Sequence, residues 1–374
     1  MKRSLFLLLT LIAFNGLYGQ STVSKNQFAN EKAFQKILDK SVDGKKVFGT
    51  NFAIKQDSIT WFGAAGDLSL DQHYFIASTT KLFTTAIILN LKSQGKLSLE
   101  DKISKYIDSS ILKGLHVYKG QEYSFDLTIE HLLAHTSGLP DYFQNKGANG
   151  KSLEDELIAG NDQYWSFEQS MLRTKAMKPF FVPGTKGKAH YSDANFQLLG
   201  KIIEVITGKS YSKNCEEMIL APLQLKQTYL YQDSTDRLPK TMYYKSKPII
   251  IPKAMTSFGP DGGMVSTSSD MLVFIEAFFT GKLFPKSYIE DLQKWNKIFY
   301  PMQSGIGIHK FQLPKAFNPT GLIPVFIGHS GLSGALAYYS PRENLYIVGT
   351  VNQVAHPDMS FKTMIKLAQA VLKK

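Results

Sequence analysis

The sequence predicts an α/β (α+β) fold: a mixed, mainly antiparallel sheet built from both chain ends with flanking helices, joined to a mostly helical lobe. Three observations carry this expectation. Short apolar runs bounded by turn residues stand near the beginning of the chain and recur in its last quarter. Between them, apolar residues recur at helical spacing. The strand runs are joined by turns short enough for hairpins, which pair strands antiparallel.

The elements follow in order. A helix is expected from Asn30 to Val42, then strands over Phe52–Lys55 and Ile59–Phe62 around the turn Gln56-Asp57-Ser58. Tyr74–Ala77 reads as extended, and Ser78 or Thr79 opens a helix closed by Gly95. Leu82, Phe83, Ile87, Ile88 and Leu89 place apolar residues on nearly every face of that helix, so it should be buried. Thr128 caps a helix over Ile129–Ala134; a second helix over Asn195–Ile206 ends at Gly208. Thr267 and Asp270 make a capping-box pair for a helix over Met271–Phe279, stopped by Gly281. Val325–Ile327, Ala335–Tyr339 and Leu345–Val351 are the late strands, and a final helix covers Ser360–Leu372. Residues 25–77 and 300–374 should therefore build the sheet lobe and residues 78–299 the helical lobe, with the two terminal helices on one sheet face. The cleft between the lobes is the expected ligand site.

Lys2 and Arg3 precede an apolar stretch from Leu5 to Phe14, with small residues at Gly16 and Gly19. This pattern is a secretory signal peptide over residues 1–19, too short to span a bilayer. It implies export to the periplasm or beyond the bacterial cell, with residues 20–374 as the mature chain. The single cysteine, Cys215, excludes an internal disulfide. The net charge is +12, but the excess is spread and almost all lysine, with arginine only at positions 3, 173, 237 and 342. No basic stripe interleaved with aromatics occurs, so nucleic acid is not an expected partner.

Ser78-Thr79-Thr80-Lys81 heads the buried helix. A serine and a lysine one turn apart can present hydroxyl and amine on one face, which makes a serine nucleophilic without a catalytic histidine. The same spacing occurs at Ser93–Lys96, Ser110–Lys113 and Ser210–Lys213, all in polar stretches that read as surface. Only Lys81 lies on a buried helix, where an unpaired ammonium costs several kcal/mol and so demands a polar cavity or a partner. Tyr191-Ser192-Asp193 and His329-Ser330-Gly331 follow. His131 and His135, four apart, resemble a zinc pair, but Leu132 replaces the expected glutamate and no third ligand is evident. No metal or cofactor is expected.

The order S-x-x-K, Y-S-x, H-S-G resembles the serine β-lactamase and penicillin-binding-protein family, in its class C, D,D-peptidase and esterase branch. The stretches Leu127–Pro140, Pro183-Gly184-Thr185, Leu198-Leu199-Gly200 and Asp261–Thr267 resemble it too, so the likeness covers nearly all of the mature chain. It implies Ser78 as nucleophile, Lys81 as the charge that organises the proton network and lowers the phenol pKa of Tyr191, and Tyr191 as general base. It also implies an oxyanion hole from the backbone N–H groups of Ser78 and Leu332, and substrate contacts from Asp193, His329, Ser330 and Gly331. Two departures stand out. Asp193 replaces the asparagine of many members and cannot donate an amide proton when ionised. His329 replaces the lysine of class C β-lactamases and grips a carboxylate less strongly at neutral pH. Both point away from a β-lactamase and toward a secreted serine hydrolase that forms an acyl-enzyme on Ser78 and acts on a D-alanyl-type peptide or small ester, while intact Ser78, Lys81 and Tyr191 argue against a silent binding protein of the same fold.

Overall fold

A computed structural model describes residues 27–373; the expected signal peptide, residues 1–19, lies outside them. Eight strands form one antiparallel sheet: β1 (Gly49–Gln56), β2 (Ile59–Gly66), β3 (Asn296–Phe299), β4 (Met302–Ser304), β5 (His309–Phe311), β6 (Phe326–Ser330), β7 (Ala335–Ser340) and β8 (Leu345–Thr350). Their spatial order is β3-β4-β5-β6-β7-β8-β1-β2, so the two ends of the chain meet where β1 pairs with β8. The first hairpin is tighter than expected. Gln56 pairs with Ile59, leaving a two-residue loop in which Asp57 takes a φ of 51°, a conformation that Asp tolerates.

Period-two alternation assigns the sheet's two faces. Phe52 and Ile54 of β1, Leu336 and Tyr338 of β7, and Ile347 of β8 join a core with Phe34 and Leu38 of α1 (Glu31–Ser41) and Met364 and Leu367 of a long C-terminal helix. Their neighbours Ala53, Ala337, Tyr346 and Val348 face the opposite, larger core. There lie α2 (Lys81–Ser93), α3 (Asp193–Thr207) and α4 (Ser268–Thr280), while the C-terminal helix just named is α5 (Asp358–Leu372). α1 and α5 thus share one face of the sheet and α4 packs on the other. The short strand Met264–Ser266 pairs with Tyr74–Phe75 and with Tyr229–Leu230, anchoring the chain just before Ser78.

α2 is apolar all round, and Leu82, Phe83, Ile87, Ile88 and Leu89 are fully buried. Each contributes about 1.5–3 kcal/mol, enough together to offset the cost of carrying a buried lysine on the first turn. The helix opens differently from expectation: Ala77–Thr80 form a 3-10 turn and α2 begins at Lys81. Thr267 caps α4 through the Asp270 N–H, but the Asp270 carboxylate accepts from Gln227 N and Thr228 Oγ1 instead of closing the expected capping box. β3, β4 and β5 are three or four residues long, too short to show a period in the sequence. Among the described residues, no helix is long and apolar enough to cross a membrane.

Candidate active site

The serine turn is held under backbone constraint. Ala77 has a φ of 45°, in the left-handed region that costs a non-glycine residue of order 1–3 kcal/mol. It is held there from both sides: Ile76 N donates to Met264 O, Met264 N to Thr80 Oγ1, and Ser333 Oγ to Phe75 O. α2 then carries Lys81 one turn beyond Ser78, with Lys81 fully buried. Its Nζ donates to Ser78 Oγ at 3.1 Å, to Asp193 Oδ1 at 2.5 Å and to the Asp261 carbonyl at 2.6 Å, using all three ammonium protons. Ser93, Ser110 and Ser210 are exposed.

Asp193 is the first residue of α3, and its own N–H donates to Asp141 Oδ1 at 3.0 Å. Asp261 arrives from the turn before Met264–Ser266, its Oδ2 accepting from Tyr142 Oη at 2.7 Å and Gln197 Nε2 at 3.0 Å. Close packing makes that approach: a Cβ on Gly200 of α3 would lie 2.3 Å from Pro260 Cγ. Three segments distant in sequence therefore converge on one ammonium group.

The charges decide the protonation states. Burial pulls the Lys81 ammonium toward neutrality, but the Asp193 charge, helped by Tyr191 and Asp261, outweighs it and holds the lysine above its ordinary value. Burial, reinforced by the Asp193 charge, pushes the Tyr191 phenol above its ordinary value; the nearby Lys81 charge opposes this without cancelling it. The expectation of a phenol made acidic by Lys81 is thus corrected. Asp193 neutralises much of the lysine's field, and the resting tyrosine is protonated. Burial and the Asp193 charge also push the Asp141 carboxyl up to about 8.

Tyr191 sits with its ring 5.0 Å from Lys81 Nζ and stacked on His135, ring centroids 4.6 Å apart. His135 lies past the end of the Ile129–Leu133 helix, at a φ of 56°, and accepts from Ser192 N through Nδ1. His131 closes a capping box with Thr128. The two histidines are therefore not on one helical face. Among the described residues, no group of three or more His, Cys, Asp or Glu side chains is placed to hold a metal ion. His329 on β6 donates from Nδ1 to its neighbour's carbonyl, Ser330 O, at 2.8 Å and stacks on His309 of β5 at 4.2 Å. Burial, with His309 and Lys81 adding repulsion, holds the His329 imidazole well below its ordinary value; burial and Lys81 bring His309 down to about 3. This wall of the site is a stack of neutral imidazoles around the tyrosine. His309 escaped the sequence reading because no motif marks it, and His135 enters that reading only as half of a zinc pair; the β5–β6 pairing that opposes His309 to Gly328 brings the first into place.

The end of β6 runs against the serine turn. A Cβ on Gly331 would lie 2.3 Å from Ile76 O and 2.9 Å from Ala77 Cβ. That approach places Leu332 beside Ser78 on the walls of the same two cavities. The N–H groups of Ser78 and Leu332 have no backbone partner among the described residues. Gly331→Ala is expected to push β6 away from the turn and cut kcat on the order of 100-fold, the usual consequence of losing one oxyanion donor. Steady-state kinetics would show kcat falling more than KM rises; an unchanged kcat would remove Leu332 from the site. Ser78, Tyr191, Asp193, His329, Ser330, Gly331 and Leu332 all line one cavity of about 500 Å3.

The family model described as Beta-lactamase matches residues 34–371. The chain belongs to the beta-lactamase family. It is a serine hydrolase fold shared with the penicillin-binding proteins, and its large antiparallel sheet with flanking helices matches solved members. The chain is 27% identical over 305 residues to the D-alanyl-D-alanine-carboxypeptidase/endopeptidase AmpH of Escherichia coli K12, covering 78% of this chain and 73% of AmpH. The D-stereospecific amidohydrolase from Streptomyces sp. superposes with a TM-score of 0.72 at 26% identity, covering 89% of this chain and 97% of that one. The D-amino acid amidase from Ochrobactrum anthropi SV3 shares the fold with a TM-score of 0.74 at 19% identity, covering 92% and 99%. In this beta-lactamase-family chain Ser78 and Tyr191 line the larger cavity, with Lys81 buried behind Ser78.

Proposed function

We propose that the protein is an exported serine hydrolase that forms an acyl-enzyme on Ser78 and acts on D-amino acid amides, D-alanyl-type peptides or related small esters. The observation that carries this reading is the buried Lys81 ammonium, held at 3.1 Å from Ser78 Oγ by Asp193 and the Asp261 carbonyl. An ammonium so placed keeps the serine hydroxyl oriented as a hydrogen-bond acceptor and stabilises its oxygen as negative charge develops. Ser78 Oγ attacks the substrate carbonyl carbon while Tyr191, protonated at rest and active in the fraction that has given its phenol proton to solvent, takes the Ser78 proton. Tyr191 then passes that proton to the leaving nitrogen or oxygen as the C–N or C–O bond breaks. Water repeats the sequence in reverse, returning the proton to Ser78 and releasing the acid. The oxyanion is received by the N–H groups of Ser78 and Leu332, worth about 3–4 kcal/mol for a donor of this kind.

The D-stereochemistry rests on AmpH and on the Streptomyces amidohydrolase. Export rests on the Lys2–Gly19 pattern. Asp193 and the neutral His329 argue against efficient β-lactam turnover, since neither supplies the amide donor or the fixed cation of a β-lactamase. Intact-mass spectrometry after incubation with a fluorophosphonate is expected to show one adduct, lost in Ser78→Ala. An adduct that persists in Ser78→Ala, at Ser93, Ser110 or Ser210, would overturn the assignment.

A further inference from the structure

Ser78 stands on a rim shared by two cavities. The larger holds Tyr191, His329 and Ser330. The smaller, about 80 Å3, lies against Ser78, Asp193 and Leu332 but does not reach Tyr191; Met242, Ile249, Ile251, Met255 and Phe258 form its apolar wall. Resting on the acyl-enzyme reading above, the reaction gives these cavities different tasks. The leaving group must accept its proton from Tyr191, so it occupies the larger cavity. The acyl group, on the other side of the same carbonyl carbon, is left with the smaller one.

Its lining states what acyl group fits. The apolar wall calls for an apolar side chain. The volume is roughly half of the 150 Å3 that admits a benzene ring, so a short aliphatic chain fits and a phenyl group does not. Besides Ser78 and Ser333, whose hydroxyl donates to Phe75 O, the remaining polar side chains are acids. Asp193 is answered by Lys81, and Asp261 by Tyr142 and Gln197. Glu154 also lines the pocket, half-buried, and its one side-chain partner is Gln144 Nε2 at 3.1 Å; among the described residues it forms no ion pair. Burial pushes its carboxyl up, with Asp155 and Asp193 repelling it further. A carboxylate on the wall of an apolar pocket, short of a cation, is a receptor for one.

We propose that the small pocket selects the acyl unit of the substrate, with the apolar wall taking a short aliphatic side chain and Glu154 pairing with a free α-ammonium. The substrate class is then an N-terminal aliphatic amino acid residue in amide, peptide or ester linkage, and an N-acylated residue is disfavoured. The Ile249–Phe258 segment and Glu154 would be specificity determinants of this chain.

The test uses D-valinamide, N-acetyl-D-valinamide and D-phenylalaninamide with the mature protein, alongside fluorophosphonate labelling of Ser78. The kcat/KM for D-valinamide should exceed that of each of the other two by about tenfold or more, the value of a hydrogen-bonded charge. Glu154→Gln should erase the preference for the free amine, mainly through KM. Met255→Ala should widen the pocket and raise D-phenylalaninamide relative to D-valinamide. Equal turnover of the free and acetylated amides by an enzyme whose Ser78 labels would overturn this inference and leave the acyl-enzyme reading standing. A free-amine preference that survives Glu154→Gln would overturn it as well. Failure of Ser78 to label, with no turnover, would overturn both.

Discussion

Tyr191→Phe and Lys81→Ala are each expected to lower kcat/KM on the order of 10^2–10^4-fold, the range of a lost acid–base group, and the double variant is expected to be scarcely worse than either. The reason is geometric. Lys81 reaches Ser78 Oγ directly and lies 5.0 Å from the Tyr191 ring, so the proton network proposed above joins all three groups. Removing either member leaves the other without its task, and groups acting as a unit are non-additive. The two variants should differ in stability. Tyr191→Phe loses one hydroxyl. Lys81→Ala strips the Asp193 carboxylate of its 2.5 Å partner in a place that is only 11% exposed, and an uncompensated buried charge costs about 3–5 kcal/mol. Thermal unfolding separates fold from chemistry. Losses in log kcat/KM that simply add would mean that Tyr191 and Lys81 act independently, and the shared network would have to be abandoned.

Asp193→Asn should move the alkaline limb of the pH–rate profile to lower pH by about one unit or more, the size of effect a close charge exerts. The sign follows from the two groups that Asp193 faces. Its charge raises both the Lys81 ammonium and the Tyr191 phenol. Deleting the charge lets both fall: more of the Tyr191 base form is present at neutrality and the Lys81 ammonium is lost at lower pH, so the rising and falling limbs shift the same way. Asparagine also supplies the amide donor that Asp193 lacks, so acylation by penicillins should rise relative to simple esters, by about tenfold for one well-placed hydrogen bond. The profile is read from kcat/KM across pH, and the acylation ratio from competition labelling. A limb that stays in place would show that Asp193 does not set the protonation of the site.

Much of this site was legible in the sequence because its chemistry is written in short local motifs. Ser78 and Lys81 were separable from three decoys by the apolar helix that follows them. Tyr191 and His329 could be placed by the order of motifs along the chain. What escaped is made by contacts across the fold. The Asp261 carbonyl reaches Lys81 from 180 positions away, as a backbone atom that no residue type announces. His309 comes from a three-residue strand with no period to detect. The pKa of Tyr191 went the other way from expectation because burial carries most of it, and burial belongs to the packed molecule. The fold class fared well for a matching reason: β1, β2, β7 and β8 are six to eight residues long and carry apolar runs bounded by turn residues.

The sheet order has a consequence for how the molecule comes into being. β8, the last strand, lies between β7 and β1, and β1 is the first strand of the chain. A ribosome extending this polypeptide has made the serine, the lysine and the tyrosine long before residues 345–350 exist to join the sheet's two halves. Pairings of such long range form slowly, after the loops between them have closed. The growing chain therefore carries Ser78, Lys81 and Tyr191 before the end of β6, which runs against the serine turn, has been made. The sheet behind the cleft closes in one late step, when β1 and β8 are side by side.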